Sequence, residues 1–221
     1  MTRPRDPFWY ALWLQLRVLW RFSLADCTYN MAYFGCYVSE MGYLLSFVFI
    51  NAWTSQFFID QTDGLEKAKD LSEAILSLSM IIGLIVGGAL GHVIDKCQIA
   101  PIFILCFLVR ALGLCMMTYL ITDFEEQKGL LYFSFFAMTT GTFCQTIVCQ
   151  SLLNKRLIAP TREIMNGFGQ AMRAIGIMTT TGLGGVLSKQ NVNAPFKLVG
   201  IFDVSIVLLA LILFLNGRFR D

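Results

Sequence analysis

The chain has 221 residues, 56% hydrophobic and 14% charged, with a formal net charge of +2 and a mean hydropathy of +0.63. Soluble domains carry about 25% charged residues, so this composition excludes an ordinary soluble domain and points to a membrane protein. The basic residues are scattered rather than gathered into a stripe, which argues against a nucleic-acid partner.

The N-terminal stretch MTRPRDPFWYALWLQLRVLW lacks a small-residue cleavage site and is studded with Trp and Arg, so it does not read as a cleavable signal peptide. Trp9, Trp13, Leu16 and Trp20 fall on one helical face, and Gln15, Arg17 and Arg21 lie elsewhere on the helix. Residues 1–28 therefore read as an amphipathic juxtamembrane segment lying in the interface.

Residues 29–217 form the second unit. A bilayer core needs about 20 apolar residues per helix, and six such segments follow, near 31–58, 72–94, 99–121, 129–153, 164–187 and 195–216. Asp70 and Glu73 read as a capping box that opens the second segment. Pro160 marks the break between the fourth and fifth. Asn193 followed by Pro195 reads as a cap and first-turn proline for the sixth. Gly83, Gly87 and Gly91 form a small-xxx-small face on the second segment that invites another helix.

Most of the seven cysteines fall inside the apolar runs, with no CxxC pair, and His92 is the sole histidine. They read as small apolar packing residues, and neither a metal site nor a cofactor is expected.

Lys and Arg set the orientation. One side receives Arg3, Arg5, Arg17, Arg21, Lys96, Lys155, Arg156, Arg162, Arg218 and Arg220. The other receives Lys67, Lys69, Lys128, Lys189 and Lys197. Both termini are expected on the cytoplasmic face of a plasma or organelle membrane.

The run IGLIVGGALGHVIDK at 82–96 aligns with IGIMTTTGLGGVLSK at 175–189, six of fifteen positions being identical. The second and fifth segments are three spans apart and so run in opposite directions. That arrangement is an inverted 3+3 repeat. The same offset lays Arg110 on Asp203, the two deepest charges of the third and sixth segments. Residues at equivalent repeat positions meet when they lie close to the axis, so a structural charge pair is expected.

Gly91, Asp95 and Lys96 match the first part of the loop G-x-x-x-D-R/K-x-G-R/K-R/K; Gln98, Ile99 and Ala100 stand where its later glycine and basic pair belong. Pro160, Gly167, Gly169, Arg173, Gly176, Gly184 and Gly185 follow the outline of a glycine-rich fifth helix, with Thr180 and Thr181 in place of a Gly-Pro pair. In order and spacing this resembles a single six-helix half, of the C-terminal kind, of a major facilitator superfamily transporter. The resemblance implies that the first and fourth helices line a central cavity. It places Glu40 and Tyr37 on the first, and Thr139, Thr140, Thr142 and Gln145 on the fourth. Glu40, Tyr37 and Gln145 become candidates for substrate or proton coupling, since an intramembrane acid is costly to keep without a use. Gly91, Asp95 and Lys96 become a conformational loop motif. Arg173, two turns into the fifth segment, is expected to snorkel to the surface.

The fold expected is therefore an all-α membrane protein of six transmembrane helices in an inverted 3+3 repeat, preceded by an interfacial helix. The function implied is transport of a small solute or ion by alternating access, with the lipid bilayer as surroundings. A second six-helix half, from another copy or a separate N-terminal half, is the expected partner. The alternative is a structural membrane subunit derived from such a transporter. An enzyme is not expected: no rhomboid-like Ser/His arrangement or pair of intramembrane Asp is present.

Overall fold

In the computed structural model, residues 7–58, 63–121, 127–155 and 159–219 are described. Among them there is no strand. Helix α1 is Pro7–Ala25, α2 is Cys27–Phe58, α3 is Gly64–Lys96, α4 is Ile99–Leu120 and α5 is Lys128–Lys155. Helix α6 runs through Ala159–Thr179, a π turn at Thr180–Gly184 and a last turn at Gly185–Ser188. Helix α7 is Ala194–Leu215. Arg3, Arg5, Arg156 and Arg220 of the charge count lie outside the described residues.

Helices α2, α3, α4 and α7 are long and apolar enough to cross a membrane, which fits an integral membrane protein. Helix α5 has the length, about 42 Å at 1.5 Å per residue, but a more polar composition. Its polarity faces inward: Ser134, Thr139, Thr140, Thr142 and Gln145 are all buried. Most of those hydroxyls return to their own helix, Ser134 donating to the Leu131 carbonyl and Thr142 to that of Met138, each at 2.9 Å. This back-bonding lets a hydroxyl-rich helix sit at the centre of an apolar bundle.

The helices alternate in direction. At one end Lys155 donates to the Ile94 carbonyl at 3.2 Å, and the Phe103 ring meets Phe219 edge-on at 5.4 Å. At the other, the Trp53 indole donates to Asn193 Oδ1 at 2.8 Å, Thr54 bonds the Ala68 carbonyl at 3.3 Å, and Lys197 lies over the Tyr119 ring. Helix α5 packs on α2, α3 and α4; α6 packs on α2, α7 on α4, and α1 touches α2 and α6.

Three sequence readings are corrected. Helix α3 begins at Gly64, so Asp70 and Glu73 lie inside it, and Glu73 pairs with Lys69 one turn back at 3.8 Å. The hydropathy marked the apolar span, whereas the helix continues two turns beyond it. Asn193 holds the position before α7, but its side chain makes no cap and takes the Trp53 indole instead. Asp26, unmarked in the sequence reading, caps α2 through the Thr28 amide at 2.8 Å. The small-residue face of α3 is not left for an outside partner at two of its three positions. A β-carbon at Gly83 would stand 2.5 Å from the Phe143 ring and one at Gly87 2.9 Å from Ile147, so α5 fills that face; Gly91 has open space.

Among the described residues three helices contain a π turn: Leu45–Phe49 in α2, Met116–Leu120 in α4 and Thr180–Gly184 in α6. In each a hydroxyl donates to the carbonyl four residues earlier: Ser46 to Gly42, Thr118 to Leu114 and Thr180 to Gly176, at 2.8–3.1 Å. This is the same back-bonding that the hydroxyls of α5 make within ordinary α-helix.

Candidate functional site: two ion pairs on one helix

Among the described residues, two charged pairs lie inside the bundle, and α2 serves both. The first joins α4 to α7. Arg110 Nε donates to Asp203 Oδ2 at 2.7 Å and Nη2 to Oδ1 at 2.6 Å, a two-pronged contact with both side chains 0% exposed. The guanidinium also donates to the carbonyls of Val38 at 2.9 Å and Ser39 at 3.3 Å. Gln145 Nε2 approaches Asp203 Oδ1 at 3.5 Å. A buried charge is tolerable when its geometry is good and its remaining donors find acceptors; here the contact is two-pronged and four of the five guanidinium N–H groups have acceptors.

The chain makes room for that guanidinium. A β-carbon at Gly42 would overlap Arg110 Nη1, and one at Gly141 would stand 2.7 Å from Arg110 Cβ. Gly42→Ala is therefore expected to push the guanidinium off its partners. Overpacking of this kind costs about 1–3 kcal/mol, read as a lower melting temperature in detergent. Gly88→Ala, with open space around it, is the control and should leave the melting temperature nearly unchanged.

The second pair is Glu40, the residue after Ser39, and Arg173 of α6. Arg173 Nε stands 3.8 Å from Glu40 Oε1, beyond hydrogen-bonding distance, and the side chains are 12% and 17% exposed respectively. Arg173 Nε is buried and has no hydrogen-bond partner. Arg173 thus does not snorkel to the surface. Helix α6 lies close enough to α2 that a β-carbon at Gly176 would overlap the Tyr37 carbonyl, and this approach carries Arg173 inward to Glu40.

The sequence candidates separate in space. Tyr37 packs against Phe34 and, edge-on at 5.8 Å, against Phe202 of α7. Gln145 belongs with the sealed pair, its Oε1 being buried without a hydrogen-bond partner. Glu40 stands with Arg173, a partner 133 positions away that no repeat offset relates to it. Gly91, Asp95 and Lys96 lie at the far end of α3. There Asp95 lines a cleft of about 350 Å³ with Gln150, Ser151, Asn154 and Lys155 of α5. Two further cavities, of about 270 and 390 Å³, lie between α4 and α7 and beneath α1. None of these three is lined by Glu40, Tyr37 or Gln145. Arg173 is the functional candidate that the sequence reading set aside; its mid-helix charge was the signal.

No family model, curated protein or solved structure matches this chain.

Proposed function

We propose that the chain is one six-helix half of a secondary transporter that moves a small solute or ion by alternating access, with both termini cytoplasmic. The observation that carries this reading is the contrast between the two ion pairs. One is closed and held by four hydrogen bonds from Arg110, as a structural tie needs to be. The other is long, partly open and short of hydrogen bonds, so a proton or a ligand can compete for it at modest cost.

The helix packing supports the 3+3 repeat within this reading. Exchanging each of α2, α3 and α4 with the helix three places along turns the α2–α6 contact into α5–α3. It turns α4–α5 into α7–α2 and returns α2–α5 and α4–α7 to themselves, and all of these contacts are present. The hydrogen-bonded Arg110 and Asp203 are separated by the repeat offset of 93, as residues beside a two-fold axis are. By the same reading, α5 is a span whose polarity is spent inside the bundle, and α6 a span that carries Arg173 to Glu40. The likeness to the major facilitator superfamily belongs to this proposal too, and with it a second six-helix half as partner.

A non-transporting structural subunit is the second reading. It draws on the cavities, none of the three reaching Glu40, and on Gln98, Ile99 and Ala100 in place of the loop motif's later residues.

The test is reconstitution into liposomes holding a pH-sensitive dye, with a chemically diverse panel of solutes added outside under an imposed pH gradient. Transport coupled to protons predicts lumenal pH changes that depend on both the protein and one class of solute. Facilitated movement without protons predicts uptake of labelled solute with no pH change. Protein that is folded and assembled, alone or with a co-expressed second half, yet gives neither signal supports the structural subunit.

A further inference from the structure

Beneath α1 lies the groove of about 390 Å³, walled by Leu16 and Trp20 of α1, Tyr33 and Phe34 of α2, and Phe168 and Met172 of α6. The Tyr33 hydroxyl is turned to the Met165 sulfur at 2.9 Å, which leaves mostly ring and aliphatic surface toward the groove. Its size falls within the roughly 300–1,000 Å³ of small-molecule sites. Leu16 and Trp20 remain 52% and 68% exposed, so the described parts of the protein do not cover them.

The mouth is basic. Arg17 and Arg21 follow Leu16 and Trp20 directly and stand one helical turn apart, both exposed, on a helix without an acidic residue. The Arg17 guanidinium lies over the Trp13 ring, 5.1 Å from its centroid. A stacked guanidinium keeps its N–H edge for oxygen anions, which it binds in a forked geometry. A soluble anion has no use for the groove, and a neutral lipid has no use for the arginines. An anionic phospholipid uses both.

We infer that the groove between α1, α2 and α6 holds an acyl chain of one anionic phospholipid, whose phosphate is bound by Arg17 and Arg21. The lipid fastens α1 to the bundle beside Arg173, the residue after Met172. This inference does not depend on transport.

The test is native mass spectrometry of the full chain from detergent, with phosphatidylglycerol and phosphatidylcholine of identical chains supplied in equal amounts. An arginine near a membrane surface contributes about fivefold in binding to anionic lipid, so two give about a thirtyfold preference for one retained phosphatidylglycerol. Arg17→Gln with Arg21→Gln is expected to level that preference, and Lys at both positions to keep most of it. Met172→Trp, which fills the groove, is expected to cut retention of both lipids. Phe34→Trp on the facing wall replaces it if the first variant loses its native gel-filtration profile. Equal retention of the two lipids by the wild type overturns the inference. So does a preference that survives loss of both arginines, or full retention in the folded groove-filled variant. Complete displacement by glycerol phosphate at concentrations equal to the lipid also overturns it, because the groove then contributes nothing.

Discussion

Asp203→Asn is expected to cost about 3–5 kcal/mol, the usual penalty for stripping one partner from a buried ion pair. The cause is Arg110, whose side chain is 0% exposed and would keep its charge with carbonyls alone to face. Arg110→Met strands the Asp203 carboxylate, with Gln145 as its remaining polar contact, and belongs in the same range. The double variant Arg110→Met with Asp203→Leu should be more stable than either single one, because an apolar pair of similar volume removes both desolvation costs. A charge swap is expected to recover less than this apolar pair. Gly42 clears a space for a guanidinium reaching from α4, and Gly141 lets the Arg110 backbone come close; among the described residues no glycine clears an equivalent space beside Asp203 of α7. Melting of the four proteins in one detergent decides the matter. A double variant no more stable than the worse single would mean that the pair itself adds net stability.

Glu40→Gln is expected to behave differently, with a smaller loss of stability than Asp203→Asn and a large change in function. Its contact with Arg173 is long and Arg173 Nε makes no hydrogen bond there, so fewer bonds are lost than at the two-pronged Arg110–Asp203 contact. Under the proposed transport, Gln retains the size of the side chain and removes the proton-binding charge. Exchange of solute across liposomes should continue, while accumulation against a gradient should stop. Arg173→Gln should impair binding instead, read as weaker concentration dependence of exchange. If Glu40→Gln loses folded protein without a selective loss of uphill uptake, Glu40 is structural and the subunit reading gains. If uphill uptake is unchanged, Glu40 has no part in coupling.

The positions of the long apolar helices were legible because lipid imposes a minimum apolar run. The sequence offset laid Arg110 on Asp203, and the structure bonds the two. Such an offset says nothing about contacts between helices unrelated by the repeat, and so Glu40 and Arg173 were read apart. The true start of α3 was hidden because Gly64 to Asp70 is polar and the apolar pattern begins later. The Gly83 and Gly87 face was read correctly as a close-packing surface, but its occupant is Phe143 and Ile147 of the same chain. A glycine stripe states how near a neighbour comes and is silent about which neighbour.

The π turns bear on how the length of this chain can change. A π turn is an α-helix holding one residue more than its flanking faces require. The stretches Leu45–Phe49 and Thr180–Gly184, each followed by further α-helix, are thus skip positions, across which a strict hydrophobic phase slips by one place, whereas Met116–Leu120 ends its helix. Loss of one residue there leaves an ordinary α-helix with its upper and lower faces still aimed at the same neighbours. Loss of one residue elsewhere in those spans turns everything beyond it by about 100°, since a turn takes 3.6 residues. Variants of this protein that differ by a single deletion inside α2 or α6 therefore have one site in each helix where the bundle absorbs it.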